Sequence, residues 1–137
     1  MTKAEYMQFH EDSCKKLIEI TKRKNADYAG SGNDPFANFR QIGALIQQPN
    51  IVEVGFLTRM SDKMSRIGSF VSNGTLQVKD ESVEDTLMDI ANYAILFAGY
   101  LRSKKAELDK GIQDQFEEIK KNSEKLNQGY KPSGEPL

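Results

Sequence analysis

The stretch from Asp85 to Leu101, DTLMDIANYAILFAGYL, constrains this chain more than any other. Leu87, Ile90, Ala91, Ala94, Ile95, Ala98 and Leu101 cover so much of a helical circumference that their helix is expected to lie centrally, packed on several sides. Such a helix needs other helices around it. The remaining sequence supplies them, because three- and four-residue apolar steps dominate and strand-like alternation is almost absent. Within this apolar stretch stands Asp89, with no charged residue after it up to Leu101. A lone carboxylate in a packed helix costs several kcal/mol unless a cation or hydrogen-bond donor meets it. Asp89 is therefore expected either to face water or to have a partner.

The first helix carries Met7, Cys14, Leu17, Ile18 and Thr21 on one side and is expected to end near KNADYAGSG, where the Gly-Ser-Gly cluster stops it. Asp34 as a cap and Pro35 at the first helical position open a short second helix that closes at Pro49. A third helix covers roughly residues 53 to 72 and ends at Asn73-Gly74. Its apolar stripe is Leu57, Met60, Met64, Ile67 and Val71, and its other face carries Arg59, Asp62, Lys63 and Arg66. After the central fourth helix, a charged last helix over about residues 105 to 126 is weakly amphipathic through Leu108, Ile112, Phe116, Ile119 and Leu126. The expected fold is all-α: a bundle of four to five helices forming one domain over residues 1–127, followed by a flexible C-terminal tail over 128–137.

Nineteen Lys and Arg against twenty Asp and Glu leave a formal charge of -1, which argues against a nucleic-acid backbone as the main partner. A single cysteine, Cys14, excludes an internal disulfide framework and a cysteine-rich zinc site. The N-terminus is charged from its first turn and no apolar run reaches membrane-spanning length, so a cytoplasmic protein with no membrane partner is expected. The extra amphipathic helix suggests a homo-oligomer, a dimer or tetramer, whose subunits could complete pockets between them.

Glu81, Asp85, Asp89 and Asn92 follow one another at steps of four, four and three along one edge of the fourth helix. Like charges at that spacing repel, and a cation would resolve both the repulsion and the desolvation of Asp89. Oxygen ligands without histidine or cysteine favour Mg²⁺, with Mn²⁺ as the alternative, and Mg²⁺ in turn suggests phosphates. Ser82 and Asp85 also fit a capping box, a role compatible with ligation. Asp89 lies beyond the first turn, so its alternative is a buried salt bridge to Arg59, Lys63 or Arg66. If the third helix packs antiparallel to the fourth, Asp62 adds a ligand while Arg59, Lys63 and Arg66 reach phosphates. The competing reading of that RxxDKxxR face is a solvated surface with internal ion pairs.

KNADYAG, NFRQIG, RMSDKMSRI and ESVEDTLMDIANYAIL, in that order, resemble the phage and bacterial family called nucleotide-modification-associated domain type 1. The resemblance covers about residues 15 to 102, and the last two motifs are its specific part. That family looks like a branch of the MazG-like all-α nucleoside triphosphate pyrophosphohydrolases. The resemblance implies an oligomeric helical bundle that binds Mg²⁺ through helix carboxylates and cleaves a nucleotide between its α- and β-phosphates. Asp85 and Asp89 match the acidic pair on the second metal-binding helix, and Asp62 sits where the preceding helix contributes acids. The departure is the ExxE-type pair, absent here because Lys63 follows Asp62, although Glu81 could restore the ligand count. Lys24, Asp27 and Tyr28 match a KxxDYG-like motif for triphosphate and base contacts, with Ala29 intervening before Gly30. Asn38 and Phe39 match more weakly, and Asn92 and Tyr93 could contact sugar or base.

Two functions follow as expectations. One is a Mg²⁺-dependent pyrophosphohydrolase with Asp62, Asp85 and Asp89 as catalytic metal ligands, joined by Glu81, and with Lys24, Arg59, Lys63 and Arg66 on the phosphates. The alternative keeps the pocket and drops the chemistry: a nucleotide-binding or nucleotide-sequestering protein. A helical module that only docks another protein is a third, plainer reading.

Overall fold

A computed structural model describes residues 1–28, 32–75 and 82–129, without the side chains of 26–28. Among the described residues there are four α-helices and no strand: α1 (Lys3–Tyr28), α2 (Ala37–Ile46), α3 (Ile51–Asn73) and α4 (Val83–Gly129). The fold is all-α, as the periodicity requires. The chain divides into two compact units, Met1–Gly99 and Tyr100–Leu137.

Local chemistry explains the helix ends. Thr2 and Glu5 form a reciprocal capping box on α1: the Thr2 amide donates to Glu5 Oε2 at 2.6 Å and the Glu5 amide to Thr2 Oγ1 at 3.2 Å. Pro35 is not the first helical residue, because Asp34 Oδ1 instead accepts the Phe36 amide at 3.0 Å in a turn that delays α2 to Ala37. The α2 helix closes on Gln47, and α3 starts after Asn50, both with left-handed backbone that suits these residue types in tight turns. Gly74, at φ 73°, ends α3 by donating its amide to Phe70 O at 2.7 Å, where Asn73-Gly74 marked the break.

The fourth and last helices, expected as two, are one helix of 47 residues. Arg102, Ser103 and Lys104 include neither glycine nor proline, so the change from apolar to charged composition alters the surface of the helix without breaking its ladder.

In the first unit, α2 and α3 pack closely through two glycines. A Cβ on Gly43 would stand 2.8 Å from Ile51 Cγ2, and one on Gly55 would stand 3.0 Å from Phe39 Cδ1. Phe39 therefore lies flat on α3 and stacks on Phe56, with centroids 3.9 Å apart, while Phe97 of α4 stacks on Phe56 at 4.8 Å. Phe56 is fully buried, Phe36 and Val52 are buried in the same unit, and Thr86 is buried on α4. On α3 and α4, Phe56 meets Phe97 while Lys63 meets Asp89, so numbers rise on one helix as they fall on the other. The two are antiparallel, as expected.

Two packing expectations are corrected. The buried side of α3 runs through Val52 and Phe56 and continues at half-buried Met60 and Ile67, which belong to the expected stripe, whereas Leu57, Met64 and Val71 are exposed. An i, i+4 step from Val52 through Phe56 to Met60 sets the inward face, and Leu57, Met64 and Val71 lie to one side of it. Nor is α4 packed on all sides, because Leu87, Ile95 and Leu101 remain exposed. Its apolar circumference exceeds what the other helices of one chain cover.

Phe56→Ala removes the middle ring of the three-ring stack. It is expected to cost about 3–5 kcal/mol of stability, read by urea unfolding of the two proteins. A change below about 1 kcal/mol would show that the stack is not the core of this unit.

Candidate functional site

The α1 and α4 helices meet through polar side chains. Lys16 Nζ reaches Asp85 Oδ1 at 3.2 Å, Thr21 Oγ1 donates to Asn92 Oδ1 at 3.1 Å, and Lys24 Nζ reaches Asp89 Oδ1 at 2.9 Å. Asp85 also caps its own helix: its amide donates to Ser82 Oγ at 3.0 Å, and Ser82 Oγ donates to Asp85 Oδ2 at 2.8 Å. The Ser82 hydroxyl, then Lys16, holds the Asp85 carboxyl below its ordinary range, and the group is exposed.

Asp89 is the point where three helices join. Its Oδ1 takes Lys24 from α1 and its Oδ2 takes Lys63 from α3 at 2.7 Å, with Lys63 only 15% and Asp89 only 20% exposed. Burial alone would push this carboxyl up. Hydrogen bonds from Lys63 and Lys24, together with their charge, outweigh burial and bring it below its ordinary value.

Beside it lies a cavity of about 520 Å³ in the first unit, within the range of small-ligand sites. Phe39, Ile42, Ile51, Val54 and Leu96 give it apolar walls; Thr21, Lys24, Asn38, Arg59 and Asn92 supply polar groups. Tyr93 also lines it, with Lys24 Nζ 5.9 Å from the centre of its ring, so one lysine touches both the carboxylate and an aromatic face at the cavity edge. Asn92 Nδ2 is buried and has no hydrogen-bond partner among the described residues, while its Oδ1 is held by Thr21. Gly55 forms part of the wall, where a side chain would crowd Phe39.

The residues singled out in the sequence are partly gathered here. Lys24, Arg59, Asn92 and Tyr93 line the cavity, and Lys63 joins them through Asp89. Asp62 is exposed and pairs with Arg66 at 3.5 Å, in the manner of an ordinary i, i+4 surface pair. Glu81 and the side chains of Asp27 and Tyr28 lie outside the described residues. The apolar wall residues from α2 and α3 were not legible as ligand-facing, since an isoleucine or valine at helical spacing reads as core; the shape that exposes them to a cavity comes from Gly55 and the close approach of α2. Phe39 was visible as a motif residue only.

The fit to Mg²⁺ or Mn²⁺ can be judged from the donor set. Among the described residues no group of three or more His, Cys, Asp or Glu side chains comes together. Both Asp89 oxygens hold lysines, Asp85 holds Lys16 and Ser82, and Asp62 holds Arg66. In this arrangement the chain's own cations take the place of a divalent ion, so the described carboxylates do not fit one.

Residues 24–98 match the family model described as nucleotide modification associated domain 1, which spans more than half of the chain and contains all three members of the Lys24–Asp89–Lys63 triad as well as most of the cavity wall. No curated protein and no solved structure matches the chain.

The lowered Asp89 carboxyl gives a pH dependence of definite sign. A carboxyl whose folded value lies below its unfolded value, about 3.9 for aspartate, stabilises the fold above that unfolded value. This contribution is lost as pH falls through the folded value. Urea midpoints measured downward from about pH 6 are therefore expected to fall once pH drops below about 4, less steeply in Asp89→Asn than in the parent. The remaining slope comes from the other lowered carboxyls, Asp85 and Glu5. Identical slopes in parent and variant would mean that the lysines do not favour the charged form of Asp89.

Proposed function

We propose, because this chain belongs to the nucleotide modification associated domain 1 family, that its cavity binds a nucleotide. The observation that carries the reading is the joining of an apolar, aromatic-edged cavity to Lys24, which is held between Asp89 and the Tyr93 ring. A base is apolar on its faces and needs a wall such as Phe39 and Tyr93 offer; phosphates need fixed cations, which Lys24, Arg59 and Lys63 supply. Asp89 positions two of these cations. Asn92, with a buried Nδ2 that has no partner among the described residues, is the group best suited to donate to a carbonyl oxygen of the base or a hydroxyl oxygen of the sugar.

A second reading adds chemistry to the same pocket. Asp85 and Asp89 lie one turn apart on the α4 edge that also carries Asn92 and Tyr93, and they resemble the acidic pair on the second metal-binding helix of MazG-like enzymes. On this reading the protein is a pyrophosphohydrolase that hydrolyses a nucleoside triphosphate to a monophosphate and pyrophosphate. It requires the lysines to leave Asp89 when nucleotide binds, with their charge moving to the phosphates. The binding reading requires only that the lysines share their charge between Asp89 and the phosphates, a smaller change than releasing Asp89 to a metal ion.

The two are separated by incubating the protein with a panel of ribo- and deoxyribonucleotides and Mg²⁺ or Mn²⁺, then resolving the products. Retained, intact nucleotide is the expected result; monophosphate with pyrophosphate would establish the hydrolase, and neither would overturn both. Loss of one charged hydrogen bond weakens binding by about tenfold to a hundredfold, so Lys24→Ala should raise the dissociation constant by that factor in calorimetry. Equal affinity in Lys24→Ala would place the phosphates elsewhere. Asp89→Asn separates the mechanisms further: weaker binding follows if Asp89 only positions lysines, whereas abolished turnover with retained binding follows if it holds metal.

A further inference from the structure

The second compact unit contains a surface that the nucleotide reading does not use. From Tyr100 to Gly129, α4 carries Leu101, Leu108, Ile112, Phe116, Ile119 and Leu126, which are 47%, 59%, 53%, 67%, 65% and 76% exposed. Single exposed apolar residues are ordinary, but five of these six, all but Phe116, fall on two interleaved seven-residue series along one helix. Leu101, Leu108, Gln115 and Asn122 recur every seven residues, as do Lys105, Ile112, Ile119 and Leu126. The two series alternate by four and three, the pattern of the d and a positions of a coiled-coil seam.

We infer that residues 101–119 pair with the same segment of a second copy of this chain as an antiparallel two-stranded coiled coil. The occupant follows from self-complementarity. In a parallel, in-register pair Lys105 would meet the partner's Lys105 inside the seam, an uncompensated like-charge contact. Turning the second helix around, with the two-fold axis near Lys110, removes that contact. Leu101 then faces the partner's Ile119, Leu108 faces the partner's Ile112, and Lys105 lies beside the partner's Gln115, whose carbonyl can accept from the ammonium. Symmetry repeats each pair, giving four apolar layers.

One flank agrees with this direction. Lys104 and the partner's Glu118 come to the same edge with opposite charge. Gly111 falls on that edge at the two-fold axis, where two residues without side chains let the helices approach closely; nothing else stands within 4 Å of a Cβ built there. Asp109 meets the partner's Asp109 on the opposite flank, and Lys105 lies one turn away on the same helix to offset that pair. The association is isologous, so it closes at a dimer and does not extend into a fibre.

Sedimentation equilibrium of the full chain is expected to give a dimer that dissociates on dilution, and L108E/I112E is expected to give the monomer mass with unchanged helical circular dichroism. A monomeric parent chain, or a dimer unaffected by L108E/I112E, overturns the inference. Direction is read separately, in a background carrying C14S. Mild oxidation of an equimolar mixture of L101C and I119C chains should yield the mixed disulfide, while I119C alone should cross-link poorly. Efficient cross-linking of I119C alone would show a parallel pair and overturn the antiparallel arrangement.

Discussion

Everything in the first unit is arranged around one carboxylate with two lysines. Asp89 cannot be left alone in its apolar helix, and the fold answers by bringing one cation from each flanking helix, Lys24 from α1 and Lys63 from α3, to its two oxygens. Such a triad is a weak source of stability, because three charged groups must give up much of their hydration. What it provides is position. Lys63 is fixed by burial against the Asp89 carboxylate, Lys24 is fixed between that carboxylate and an aromatic ring, and each helix is thereby set in register against α4. The aromatic stack gives the apolar counterpart of this registration, since Phe39, Phe56 and Phe97 tie α2, α3 and α4 together.

This arrangement bears on charge. The chain as a whole is near neutral, yet Lys24 and Lys63 are gathered at Asp89, and Arg59 stands on the cavity wall beside them. An anionic ligand entering there meets cations whose side-chain freedom has already been lost in folding, so less entropy remains to be lost on binding. The ligand must also compete with Asp89 for the lysines. Affinity for a phosphate is therefore set by the difference between two ion pairs, and a group with higher charge density than a carboxylate has the advantage.

The sequence made the class of the fold and the importance of Asp89 legible, for a physical reason: helical period and an unaccompanied charge in an apolar run are local signals. It also limited the salt-bridge partners of Asp89 to the polar face of the third helix, where Lys63 is indeed found, and Asn73-Gly74 marked the end of α3. Lys24 was legible only as a motif residue, since nothing local states that α1 will lie along α4. The stripe read on α3 was right at half-buried Met60 and Ile67 but included exposed Leu57, Met64 and Val71 and missed Val52 and Phe56, because both sets keep helical spacing and only tertiary packing chooses between them. The boundary drawn after Leu101 reflected a change in which side chains α4 carries, while the backbone responds to helix breakers, of which there are none at that point.

The exposed face of α4 has the same origin as the misplaced stripe. A helix whose apolar residues exceed what its own chain can cover must either tolerate them in water or cover them with another molecule. Along residues 100–129 the excess is not random, because leucine and isoleucine keep the four-three alternation while Lys105, Gln115 and Asn122 interrupt it with polar side chains. Those polar interruptions lower the stability of any pairing, but they penalise wrong registers more than the right one, because the antiparallel register keeps Lys105 away from its own copy and beside an acceptor. A weakly amphipathic, highly charged helix is thus what a specific and reversible contact demands, whereas a fully apolar seam of this length would bind more tightly and discriminate less.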